Sequence, residues 1–288
     1  MLKQYLSRGV VLVGLLVLLT ITGAAVSAQE ESLPTISATA EGMTVPEGLI
    51  AGLTTIVFQN DSEAPFAPFI FRLNEGKTTP DLMGALQSGG FNAVFEVVTI
   101  LGNPDTQPGE SYQVTYDLLA GDYVLLSFGD FRGGPPTILP FSVAENETEL
   151  EATPEPMEAD VVVQLADFVF AVPTKIDTGA QLWQIENVGE QAHHMVVFAV
   201  EDDVTLEAVT AAIMDALMNA TSFPPPIPYE TVFGWGIMSP AQSAYIELDL
   251  EPGKYVFVCF LPDQTAEDPE QAMTHFAHGM IKLVTIDE

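Results

Sequence analysis

The chain has 288 residues, 40 acidic against 8 basic, and a formal net charge of −32, with 48% hydrophobic residues. That apolar content suffices for a packed core despite the charge, and the length suits about two domains of ordinary size. So few cations exclude phosphate-driven nucleic-acid binding, and a single cysteine excludes an intramolecular disulfide or a multi-cysteine metal cluster.

The N-terminus has the form of an export signal. Lys3 and Arg8 precede an apolar run over residues 10–21, and Val26-Ser27-Ala28 puts small residues where a signal peptidase cuts. The expectation is a signal peptide over residues 1–28, cleaved after Ala28. An uncleaved anchor is the alternative, since the stretch 10–26 is only just shorter than a membrane span. Cleavage leaves six basic residues against 40 acidic, a net −34, on a chain that is secreted, periplasmic or held at the cell surface without a membrane span. Such acidity keeps a surface hydrated, and it also steers a partner protein with a basic docking face toward it.

Beyond residue 29 the elements are short apolar strands broken by Gly, Pro, Asn and Asp turns. In chain order they are strands at 54–58 and 69–73, a helix-compatible stretch at 80–87, and strands at 112–116 and 123–128. Residues 145–160, with six glutamates and two prolines, form an extended, self-repelling linker. Strands follow at 182–185 and 196–200, then a helix over 205–218 with Leu206, Val209, Ile213 and Leu217 on one face, then strands at 245–250 and 255–260. Regular strands separated by turns favour β-sandwiches, here in domains 33–144 and 161–288. The aromatic segment from Phe233 to Ile237 reads as core filler, and the proline-rich stretch 223–229 as a rigid loop over the site.

The two halves look like copies of one unit. Phe58-Gln59-Asn60 matches Ile185-Glu186-Asn187, and nine residues beyond each Asn comes an apolar strand. The stretch 121–128 aligns with 253–260 without a gap, so Ser127 stands where the second half has Cys259. In the same register Phe66 and Ala67 stand for His193 and His194. All four histidines and the cysteine lie in one copy, which implies a duplication with the first copy degenerate.

A thiolate, imidazoles and a weak thioether are the ligand set of a blue-copper electron-transfer centre, in which soft sulfur favours Cu(I) and imidazole suits both oxidation states. Residues 161–288 resemble the cupredoxins, the plastocyanin-like β-sandwiches. The resemblance rests on His193-His194-Met195-Val196-Val197-Phe198, on Pro252-Gly253-Lys254-Tyr255-Val256-Phe257-Val258-Cys259, and on His275 followed after four residues by Met280. It implies an all-β chain of two tandem Greek-key sandwiches, each with a short inserted helix. It also implies copper held by His194, Cys259, His275 and Met280, with His193 and His278 as alternates. Counting back from the Val-Val-Phe strand favours His194, whereas a His-x-Met-Val pattern favours His193. Since neighbours on a strand face opposite ways, only one enters the site. Fifteen residues separate Cys259 from His275, where plastocyanin-like loops have only a few; the excess, carrying Asp263, Glu267, Asp268 and Glu270, reads as an acidic surface insertion.

No Ser-His-Asp order, nucleophile elbow or phosphate-binding glycine loop is present, and four histidines cannot supply a type-1 centre and further copper sites. The expectation is therefore an exported electron carrier that is not an enzyme, the alternative being a metal-free interaction module.

Overall fold

The computed structural model describes residues 32–88, 91–128, 136–147, 157–219, 227–268 and 271–287. The expected signal peptide, the centre of the expected linker and most of the proline-rich stretch lie outside them. Among the described residues no helix is long and apolar enough to cross a membrane.

The first half contributes β1 (Thr35–Thr39), β2 (Gly42–Thr44), β3 (Leu49–Ile50), β4 (Gly52–Asn60), β5 (Phe69–Leu73), helices α1 (Thr79–Ser88) and α2 (Phe91–Phe95), β6 (Val98–Ile100), β7 (Ser111–Leu118), β8 (Gly121–Ser127) and β9 (Thr137–Ala144). The second half contributes β10 (Val161–Ala166), β11 (Val169–Ala171), β12 (Lys175–Asp177), β13 (Gln181–Asn187), β14 (His193–Val200), helix α3 (Leu206–Met218), β15 (Glu230–Met238), β16 (Ser243–Leu248), β17 (Gly253–Val258) and β18 (Ile281–Asp287). The strands anticipated from sequence fall within or within two residues of these elements. The aromatic segment is the middle of β15, with Phe233 and Trp235 buried. The first half carries two short helices where one is expected.

Each half is a sandwich of two sheets, and the two five-stranded sheets have matching orders, β3-β9-β8-β5-β6 and β12-β18-β17-β14-β15. Alternation builds each layer: in β16, Ala244, Ile246 and Leu248 are buried while Ser243 and Glu247 face water. β17 is buried on both faces, because α3 covers its outer side. Val256 and Val258 pack with Phe198, Val209 and Ile213 under that helix, while Tyr255, Phe257 and Cys259 face the main core. Thr205 caps α3, its hydroxyl accepting from the Ala208 amide at 3.2 Å.

The sequence carries no sign of how the halves join. β16 pairs with β7, so the other layers of both halves merge into one eight-stranded sheet, β11-β10-β13-β16-β7-β4-β1-β2. On the opposite layer, the chain after β6 runs along the edge of β15, the Asp105 amide donating to the Gly234 carbonyl and the Gly236 amide to the Asn103 carbonyl, both at 2.8 Å. The approach is close enough that a Cβ on Gly102, whose φ of +73° already favours glycine, would stand 3.1 Å from the Met238 side chain. One hydrophobic core runs through both halves.

Candidate metal centre

The second sandwich gathers three donor side chains at one end. His193 opens β14, Cys259 follows the last residue of β17, and His275 lies on the turn before β18. All three are fully buried, and their ligand atoms lie within 4.8 Å of one another. His193 Nδ1 is 3.0 Å from His275 Nδ1, and Cys259 Sγ is 3.4 Å from His275 Nδ1.

The acidic insertion does not separate these groups, because its neck is closed. The His275 amide donates to the Leu261 carbonyl at 2.7 Å, Asp263 N to Met273 O at 2.8 Å, and Phe276 N to Cys259 O at 2.8 Å. Closing the neck fixes the ends of the loop whatever its length. Met280 is fully buried, and its backbone ties to both neighbours: its amide donates to His275 O at 2.9 Å, and its carbonyl accepts from Cys259 N at 3.3 Å.

The preference for His194 is corrected. The β14–β17 register pairs Val196 with Val258, and its continuation puts Met195 opposite Cys259 and His194 opposite Phe260. Cross-strand partners share a face, so Cys259 shares one with Met195 and therefore with His193. His194 turns to the α3 side, where its Nε2 accepts the Phe260 amide at 2.7 Å. Burial, reinforced by His275 and His193, lowers its pKa to about 4 and keeps it neutral. His278 also stays out of the cluster. It is exposed, its ring lies against Phe168 with centroids 4.5 Å apart, and its Nε2 is 3.4 Å from Asp263 Oδ2.

Residues without a sequence signal complete the site. Asp167 and Phe168 form the turn between β10 and β11, with Phe168 at φ +64°. Asp167 Oδ1 lies 3.1 Å from His193 Nε2 and accepts the Gln191 and Glu190 amides, each at 3.1 Å. Burial works to raise this carboxyl, but the Gln191 and Glu190 amides and His193 outweigh it and hold it below the ordinary value. Gln191 Oε1 accepts the Gln264 amide at 2.7 Å and lies 3.2 Å from His275 Nε2. Phe168 closes over the His275 ring edge-on, with centroids 5.2 Å apart.

These partners decide the tautomers. The Asp167 carboxylate only accepts, so His193 carries its proton on Nε2. Gln191 Oε1 already accepts an amide N–H, so His275 likewise donates from Nε2. Two Nδ1 lone pairs then face each other at 3.0 Å beside a thiol, an arrangement that repels unless a cation is shared between them. Burial opposes a proton there: it lowers the pKa of His193, and with help from His193 takes that of His275 to about 4. It also pushes the thiol up to about 12. Two imidazoles and a thiol, each imidazole fixed through its far nitrogen, fit a copper ion.

The histidine opening β14, the cysteine just past β17 and the His–Met turn before the last strand follow the layout set out above. The fold is cupredoxin-like. No protein-family model matches the chain, and no curated protein does. Among solved structures, reduced auracyanin from the photosynthetic bacterium Roseiflexus castenholzii is 19% identical and covers 44% of this chain and 95% of its own, with a TM-score of 0.29. A blue copper oxidase from Nitrosomonas europaea is 12% identical over 88% of this chain and 84% of its own, TM-score 0.23. The copper nitrite reductase of Thermus scotoductus is 12% identical over 88% of this chain and 55% of its own, TM-score 0.23. At such scores the weight rests on this chain's own topology and side chains. The expectation that the chain is not an enzyme is corrected to this extent: the solved structures similar to it include an oxidase and a nitrite reductase, which are enzymes.

Proposed function

We propose that the cupredoxin-like second sandwich binds one copper ion through His193, Cys259 and His275, with Met280 as a weak fourth ligand, and that the protein transfers single electrons outside the cytoplasm. The observation that carries this reading is the buried His–Cys–His cluster, its three donor atoms within 4.8 Å of one another. Bound copper supplies the one-electron couple, a soft thiolate favouring Cu(I) and two imidazoles serving both states.

The chain's own residues supply the rest. Asp167 and Gln191 hold the imidazole protons on Nε2, which keeps both Nδ1 lone pairs directed at the site. The start of β14 and the end of β17 fix His193 and Cys259 on neighbouring strands, so little rearrangement accompanies a change of charge. Burial of all three side chains excludes water. The acidic surface favours a redox partner with a basic docking face.

The test is Cu(II) titration of the protein lacking its first 28 residues, followed by visible absorption, beside Cys259→Ser. An intense thiolate-to-copper band at one equivalent, lost in the variant, and a reversible one-electron wave support the reading. A folded protein without the band refutes it and favours the metal-free module.

A further inference from the structure

Among the described residues of the insertion between Cys259 and His275, Gln264 reaches the site through both its backbone and its side chain. Gln264 uses all four of its polar groups. Its amide donates to Gln191 Oε1 at 2.7 Å, its Oε1 accepts the Ala192 amide at 2.9 Å, and its Nε2 donates to the Ala192 carbonyl at 3.0 Å. Its own carbonyl accepts from Asn92 Nδ2 of α2, in the first half, at 3.2 Å. Ala192 immediately precedes His193, and Gln191 Oε1 is the partner of His275 Nε2. One residue therefore grips the backbone beside one imidazole and orients the acceptor for the other.

We propose that Gln264 is a positioning residue for both site histidines, and that Asn92 makes the N-terminal half a working part of the site. This rests on the metal reading above. The clasp acts on the Gln191 amide. While the Gln264 amide points at Oε1, a flipped Gln191 would set its NH2 against two N–H donors, so the oxygen stays toward His275 and the ring proton stays on Nε2. Without the clasp the amide is free to turn, His275 moves its proton to Nδ1, and the site loses a lone pair. The first half is anchored to the second by β7–β16 pairing and by the 101–105 strip along β15, so Asn92 holds the loop from a fixed platform. A histidine-free first half thus gains a role without a metal site of its own.

The experiment compares the full protein with Gln264→Ala and Asn92→Ala. In the metal-free state, 15N-histidine NMR reads the tautomer of His193 and His275. In the copper-loaded state, competition titration reads affinity and the thiolate band reads geometry. Gln264→Ala keeps the backbone N–H but removes both side-chain bonds to Ala192 that hold it against Gln191 Oε1. It is therefore expected to mix the His275 tautomers, shift the band and weaken copper binding about 10–100-fold. Asn92→Ala is expected to move the same readouts in the same direction by less. Wild-type tautomers and affinity in a folded Gln264→Ala overturn the proposal, and an inert Asn92→Ala overturns the part given to the first half. Should Gln264→Ala not fold, Gln264→Glu, which keeps the Oε acceptor and loses the Nε2 donor, takes its place, and wild-type tautomers and affinity in it overturn the proposal equally. A wild-type protein without a thiolate band removes the metal reading, while the tautomer arm still tests the clasp.

Discussion

Replacing Gly189 with alanine tests the Asp167–His193 contact without touching either residue. Gly189 lies on the turn between β13 and β14, held by its amide's bonds to Asn187 Oδ1 at 2.9 Å and Leu165 O at 3.2 Å. Its φ lies outside the left-handed region, so alanine is tolerated by the backbone. The new Cβ, however, would overlap Asp167 Oδ1 and stand 2.9 Å from His193 Nε2 and 3.0 Å from the Asp167 amide nitrogen. Neither the backbone nitrogen nor a buried ring at the start of a strand has room to retreat, so the carboxylate must swing away. That breaks a charge-assisted bond worth about 1.5–3 kcal/mol and strands a buried N–H. Loss of such an outer partner costs about 10–100-fold in metal affinity. The assay is copper competition together with urea unfolding of Gly189→Ala, Asp167→Ala and the double variant. Because both single changes remove one contact, the double variant is expected to fall well short of their sum. Wild-type affinity in Gly189→Ala, or strict additivity in the double variant, would refute the reasoning.

Three further outcomes follow from the same coordinates. His193→Ala should abolish the thiolate band, whereas His194→Ala should keep it while losing about 1–3 kcal/mol of stability through the orphaned Phe260 amide; a reversal of the two results would restore His194 to the site. Asp105, at the junction of the halves, has its pKa raised by burial from 3.8 to about 6. An acid raised in the folded state contributes stability that is full below the unfolded value and is lost as pH rises through the folded one. Wild type should therefore lose at most about 3 kcal/mol between pH 4 and 7, less what residual solvent contact screens, while Asp105→Asn should not; parallel melting-temperature profiles would refute this. Gly84→Ala, at an exposed position inside α1 with nothing within 4 Å of the new methyl, should stabilise by about 0.5–1 kcal/mol, and calorimetry showing a loss would count against the helix.

Much of the site was legible before any coordinates. Cys259 and His275 stand out because their residue types occur in one half and not in the other, Met280 because it follows His275 at a fixed spacing, and all three because they flank apolar strands whose alternation is plain. Asp167, Gln191 and Gln264 carried no such mark. An aspartate in a two-residue turn, or a glutamine in a polar loop, looks like ordinary surface until the chain brings it against an imidazole. The distance from Asp167 to His193 along the chain hides a contact of 3.1 Å. The choice between His193 and His194 shows the limit most sharply. Alternation says that one of the two faces the cysteine, but naming it needs the parity of the β14–β17 register, which depends on how two strands more than 50 residues apart are paired.

The sequence alone settled what is local: strand-forming runs and their turns, the amphipathic α3, and the confinement of every histidine and the cysteine to one half. These follow from side-chain period and composition, which act over a few residues. Tertiary structure decided what is non-local: the strand register that selects His193, the closed neck that brings His275 to Cys259 across a long insertion, and the β7–β16 seam that welds the halves into one sheet. Each is a pairing of backbone groups or side chains from distant parts of the chain, and hydrophobic pattern is indifferent to which partner a strand edge finds.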